Sequence, residues 1–179
     1  MDAIDIIKTI TKSLKAKKNY LDLAIDRGLG KGMQIEDWIL VEMLLNLIKL
    51  RDQDNLDEVE AEHKYPLKKG TRYEHCDLWW CVNNEEHWLE VKTIVMAKDK
   101  LKGSLKNVKQ DIKKINRLDT NNIFHHLTMV FPIHINEINS WEIDLNTAYK
   151  EEGLQNGINW NYKIWDEKVL LIVLYSTNI

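Results

Sequence analysis

Asp77 and the group Glu90-Val91-Lys92 stand thirteen residues apart on two apolar segments. The local text runs Cys76-Asp77-Leu78-Trp79-Trp80-Cys81-Val82, Asn83-Asn84-Glu85-Glu86, then His87-Trp88-Leu89-Glu90-Val91-Lys92-Thr93-Ile94-Val95. Two runs rich in β-branched and aromatic residues around a short polar turn predict a β-hairpin. Alternation puts Glu90 and Lys92 on one face of its second strand and Leu89 and Val91 on the other. Two carboxylates and an ammonium beside a core cost free energy unless something uses them. A divalent cation, which prefers oxygen ligands, would use them.

The elements around this hairpin are legible from periodicity. Ile6, Ile7, Ile10 and Leu14, then Tyr20, Leu21, Leu23 and Ile25, give residues 2 to 26 helical spacing. A corner at Gly28-Leu29-Gly30-Lys31-Gly32 precedes the strongest helix signal, Gln34 to Leu50. Glu58 to Tyr65 alternates as a half-buried strand, and Lys68-Lys69-Gly70 is a turn leading into the hairpin. Leu105, Val108, Ile112, Ile115 and Leu118 mark an amphipathic helix over 104 to 119. Ile123 to Ile133 reads as a strand, placed parallel to the Glu90 strand by a right-handed crossover through that helix. Trp141 to Trp165 gives no clear period, and Lys168 to Tyr175 reads as a strand buried on both faces. The expected fold is an α/β mixed sheet, an antiparallel meander plus a parallel crossover strand, with helices on its faces.

The helix from Gln34 brings a third carboxylate. At about 100° per residue, Glu36 falls within the stripe of Ile39, Leu40, Met43, Leu44 and Leu47. An acidic residue in a first turn also serves the helix dipole, but that role does not require the core-facing side. Glu42 falls with Asn46 and Lys49, on the solvated side.

Gly32-x-x-x-Glu36 on a helix, then Asp77, then Glu90-x-Lys92, resembles the PD-(D/E)XK nuclease superfamily of restriction endonucleases, Holliday-junction resolvases and phage exonucleases. The order helix, three-strand meander, helix, parallel strand matches as well. Roughly residues 30 to 132 are covered, with a helical region at 2–26 before them and an extension at 135–179 that completes the sheet. The whole is expected to be one domain. Position 76 is Cys where the family name has Pro. The resemblance implies a restriction-endonuclease-like fold and Mg²⁺- or Mn²⁺-dependent hydrolysis of DNA phosphodiesters, in restriction or defence against foreign DNA. Asp77, Glu90, the main chain at Val91, and Glu36 would hold metal, directly or through water. Lys92 would orient or activate the attacking water. Lys109, Lys113 and Gln110 on the following helix would approach substrate phosphates. Cutting two strands with one such site requires two copies, so a homodimer is the implied assembly. A non-catalytic nucleic-acid-binding or protein-interaction module on the same fold, and an unrelated α/β protein whose charged hairpin is a salt bridge, remain open beside it.

The chain's totals narrow the field. At 179 residues, 44% hydrophobic and 30% charged, it can bury a core as one domain and is not of disordered composition. The net charge of −3 argues against a nucleic-acid coating protein. Charge is uneven, however: Lys98 to Arg117 holds eight Lys or Arg against Asp99 and Asp111, while Asp52 to Glu62 carries six carboxylates. Trp38 to Leu50, the longest apolar stretch, is broken by Glu42, Asn46 and Lys49, so no membrane span is expected. Two cysteines without a disulfide framework, and no secretory signal, fit a reducing cytoplasm. Cys76 and Cys81, expected on opposite strand faces, lack a zinc-knuckle turn. His125, His126 and His134 lack metal spacing and read as strand-end residues.

Overall fold

A computed structural model describes residues 3–17, 19, 35–65, 74–95, 101–115, 123–152, 154–165 and 167–176. The expected Gly28–Gly32 corner, the helical spacing beyond Tyr20 and the Lys68–Gly70 turn lie outside them.

Helix α1 (Ala3–Ala16) and helix α2 (Ile35–Arg51) come first, followed by strands β1 (Glu58–Ala61), β2 (Leu78–Val82) and β3 (Glu85–Val95). Helix α3 (Leu101–Ile115) leads to β4 (Ile123–His134), a single 3₁₀ turn (Ile135–Glu137) and α4 (Ile138–Glu151). Strands β5 (Gln155–Trp165) and β6 (Lys168–Ser176) complete the order. Charge suits the ends of α2, with Glu36 and Asp37 in its first turn and Lys49 and Arg51 in its last. The stretch with no clear period resolves into α4 and β5. Strand β1 is shorter than expected: Glu62, at φ 52°, turns the backbone left-handed, and among the described residues an isolated bridge between Lys64 and His75 continues the pairing.

The six strands form one mixed sheet in the order β1-β2-β3-β4-β6-β5. β3 and β4 are the parallel pair, and the other pairs are antiparallel. The β2–β3 hairpin turns on two residues, Asn83 at φ 53° and Asn84 at φ 63°. Asparagine tolerates this left-handed pair, whose twist matches that of the strands it joins. The turn fixes Leu78 opposite Leu89 and Trp79 opposite Trp88. The chain is thus an α/β fold with helices on the sheet. No helix among the described residues is long and apolar enough to cross a membrane.

The two faces of the sheet differ in composition. On one, Leu89 and Val91 of β3, Leu127, Met129 and Phe131 of β4, and Leu170, Ile172 and Leu174 of β6 pack under α1 and α2. On the other, Ile94, Val130 and β6 pack with Val108 and Ile112 of α3 and with Trp141, Leu145 and Tyr149 of α4. Farther along that second face, Tyr65, Cys76, Trp79, Trp88 and Phe124 form a separate aromatic cluster. Between those clusters the strands carry Glu90 and Lys92 beside His126 and Thr128, which are paired in register. Cys81 packs on the same aromatic cluster as Cys76, not on the opposite face. The bend at Asp77, just before β2 begins, breaks the alternation that the sequence alone suggests.

Candidate active site

Strand β2 starts at Leu78, paired with Leu89, so the edge of β3 beyond Leu89 has lost its β2 partner. Backbone N–H groups there need acceptors. Carboxylates supply them: Val91 N donates to Asp77 Oδ2 at 2.6 Å, and Thr93 N to Glu36 Oε2 at 2.8 Å. The same Glu36 oxygen accepts from Thr93 Oγ1 at 3.0 Å, while Oε1 accepts from Lys92 Nζ at 3.1 Å. A short strand therefore draws Asp77, from the hairpin, and Glu36, from the first turn of α2, onto one strip of backbone. An extended residue presents its N–H and C=O on the same edge, which turns the Val91 carbonyl to this strip too.

Glu90 lies one residue before Val91, buried at 4% exposure. Tyr65 OH donates to its Oε1 at 2.6 Å. Burial first, and the Asp77 carboxylate second, push its pKa up to about 8, against the lowering effect of Tyr65 and Lys114. Burial likewise raises Asp77; the Val91 N–H opposes this, and Glu36 and Asp111 add to it. Two carboxylates that each resist ionisation are short of positive charge. For Lys92, burial acts to lower the pKa, but Glu36, Asp111 and Asp77 outweigh it and hold the ammonium charged. Lys114 behaves likewise: burial lowers, and Glu90, Asp111 and Asp77 raise to a net increase.

Lys114 and Asp111, 3.2 Å apart on α3, are thus members of the cluster that sequence reasoning missed. Lys109 and Lys113, expected there, bind the end of α4 instead: Lys109 pairs with Glu151, and Lys113 Nζ stands 3.4 Å from Glu152 Oε1. Gln110 is exposed. Both flanks of the Val108–Ile112 stripe carry charge, and only the packing of α3 across β3 decides which flank faces Glu90. Tyr65, twenty-five residues from Glu90, left no local signal. His125 and His126 are fully buried within the sheet, not strand-end residues. Burial lowers the His126 pKa to about 3, helped by the Lys92 and Lys114 ammonium groups.

The fit to a hard divalent cation rests on this donor set. Among the described residues no group of three or more His, Cys, Asp or Glu could hold a metal ion. Glu36 is engaged at both oxygens. What fits is a two-carboxylate site, Asp77 and Glu90 with the Val91 carbonyl. Oxygen-only ligands in that number suit Mg²⁺, which keeps several waters.

Comparisons with protein-family models, with curated proteins and with solved structures find no match to this chain.

Proposed function

We propose that this chain is a metal-dependent nuclease of restriction-endonuclease-like fold that hydrolyses DNA phosphodiester bonds. One observation carries the reading: Asp77 caps the Val91 N–H within the same cluster as Glu90 and Lys92, with Glu36 clasping Lys92 from the neighbouring helix. Asp77, Glu90 and the Val91 carbonyl would hold Mg²⁺ or Mn²⁺. When bound, the ion supplies polarisation of a phosphoryl oxygen and a lowered pKa for its water.

The chain's own groups have distinct tasks. Tyr65 holds the Glu90 carboxyl in one orientation through its hydroxyl. Glu36 fixes the Lys92 ammonium at the edge of β3, where it can orient the attacking water and neutralise developing negative charge. Lys114, whose ammonium lies in the field of Glu90 and Asp77, would contact a backbone phosphate, which positions nucleic acid without reading its sequence. A soluble cytoplasmic protein acting in restriction or defence, paired as a homodimer for double-strand cutting, completes the proposal.

A non-catalytic binding module on the same fold is the second reading. The Glu36–Lys92 and Tyr65–Glu90 contacts favour it, because they give these four side chains partners with nothing bound. Incubation of the purified chain with Mg²⁺ or Mn²⁺ and single- or double-stranded DNA separates the two. Cleavage is expected, with Asp77→Ala and Lys92→Ala each slowing it by about 10²–10³-fold, as for loss of one charge-stabilising group. Cutting that survives both substitutions sinks the mechanism; no cutting of any DNA or RNA favours the binding module.

A further inference from the structure

His125 and His126 are neighbours on β4, both fully buried, yet they face opposite sides of the sheet and are differently satisfied. His125 uses both ring nitrogens: Nε2 stands 3.2 Å from His87 Nδ1, and Nδ1 stands 2.6 Å from Ser176 Oγ. His126 uses one. Its Nδ1 is 2.6 Å from Tyr149 OH, which also bonds Thr128 Oγ1. Its Nε2 is buried and has no partner among the described residues.

Counting protons fixes what that nitrogen offers. Thr128, Tyr149 and the neutral ring bring two hydroxyl hydrogens and one N–H to share among themselves. If Thr128 donates to Tyr149 and Tyr149 to Nδ1, both hydroxyls are met and the ring proton sits on Nε2. The opposite sense leaves the Thr128 hydrogen without an acceptor and the Nε2 lone pair bare. The first arrangement strands one group rather than two, so Nε2 is a buried N–H donor.

Its surroundings identify the acceptor it lacks. His126 is paired in register with Glu90, and Thr128 with Lys92, on strands about 4.8 Å apart. The charges that act on the ring are those of the Lys92 and Lys114 ammonium groups. The unmet N–H thus lies in the field of two ammonium groups, each of which also pairs with a carboxylate, Lys92 with Glu36 and Lys114 with Asp111; the group it lacks is an acceptor oxygen. Glu90, its in-register neighbour, does not fill that role, because neither of its oxygens is within hydrogen-bond reach of Nε2.

We propose that the His126 Nε2–H donates to a non-bridging oxygen of the phosphate group this site binds, beside Lys92 and Lys114. The proposal rests on the phosphodiester reading above and adds a neutral substrate-contacting donor to it. Tyr149 is then a positioning residue, fixing the tautomer from the far side of the ring and itself held by stacking on Tyr175 at 3.6 Å.

Titration of the ¹⁵N-histidine-labelled full chain with inorganic phosphate, followed by NMR, tests this, with His125 as internal control. The His126 Nε2–H signal is expected to move downfield and gain protection from solvent exchange, while His125 stays fixed. His126→Leu should weaken phosphate binding about 10- to 100-fold, the effect of losing a hydrogen bond to a charged group. His126→Gln, which keeps an N–H donor, should recover most of it. A His126 signal indifferent to phosphate overturns the proposal, as does wild-type affinity in a folded His126→Leu chain. The shift in a protein that cuts no nucleic acid keeps the anion contact and removes only the nuclease reading. Cleavage with an unmoved His126 signal does the reverse.

Discussion

The two faces of this sheet are built from the same strands but do opposite things. Under α1 and α2, β3 and β4 present Leu89, Val91, Leu127, Met129 and Phe131 without interruption. Under α3 and α4, the residues between them are Trp88, Glu90, Lys92 and Ile94 on β3 and Phe124, His126, Thr128 and Val130 on β4. Over this stretch the first face is apolar, and the polar side chains it carries farther along, His87 and His125, are bonded to each other. The other is split by a polar seam with an acid that resists ionisation and an imidazole nitrogen without a partner. Such groups cost stability, and chains keep them where function needs them.

The sharpest way to break this contrast is to give the apolar face a charge of its own. Leu127→Glu places a carboxylate beneath α1 and α2, where nothing pairs with it. A loss of more than about 4 kcal/mol is expected, seen as an unfolded chain by circular dichroism. Leu127→Ala should lose about 2–5 kcal/mol.

Removing charge from the seam should do the opposite. With its folded pKa raised to about 8, Glu90 binds a proton more tightly in the folded chain than in the unfolded one. Its contribution to stability is therefore full below the ordinary carboxyl range, declines as pH rises from there, and is lost above about pH 8. The slope approaches roughly 1.4 kcal/mol per pH unit. Glu90→Gln should flatten this slope in denaturant titrations and leave the chain more stable at pH 8 while it stops binding Mg²⁺. An unchanged slope would place the protonated acid elsewhere. In the unsubstituted chain, Mg²⁺ binding should release a proton below pH 8, measurable by calorimetry in buffers of different ionisation enthalpy.

A smaller effect distinguishes the flanks of α3. Lys114→Ala should weaken DNA binding about tenfold at low salt, and Lys109→Ala should leave it within about twofold. Equal losses would mean that the outer flank, too, meets the nucleic acid.

Much of this arrangement was legible in the sequence because its signals are local. The polar interval at Asn83-Asn84 gave the hairpin, alternation separated Glu90 and Lys92 from Leu89 and Val91, and helical phase brought Glu36 to the core side of α2. The amphipathic stripe at Val108 and Ile112 gave the crossover and hence the parallel pair. What stayed hidden depends on contacts far apart in the chain. Tyr65 reaches Glu90 only because the chain returns past the end of β2. Lys114, not Lys109, faces the cluster because of how α3 crosses β3. In α4, Trp141, Leu145, Ala148 and Tyr149 do form a buried stripe, but Ile143, 64% exposed, blurs its period. His126 read as a strand-end residue, since nothing in two adjacent histidines says that one will be fully bonded and the other not.

The turn at Asn83 and Asn84 has a consequence for how this chain can change through descent. With two residues in the loop, Asp77 falls beside Glu90 across the hairpin. One residue more or fewer slips the register and sends the side chains of one strand to the opposite face. Such a slip would bury the Leu78 side among the aromatics and carry Asp77 away from Glu90 at a stroke. Related chains that retain the chemistry should therefore hold this loop at constant length, and vary its residues only among Asn, Asp and Gly. Loops that anchor no register can lengthen freely.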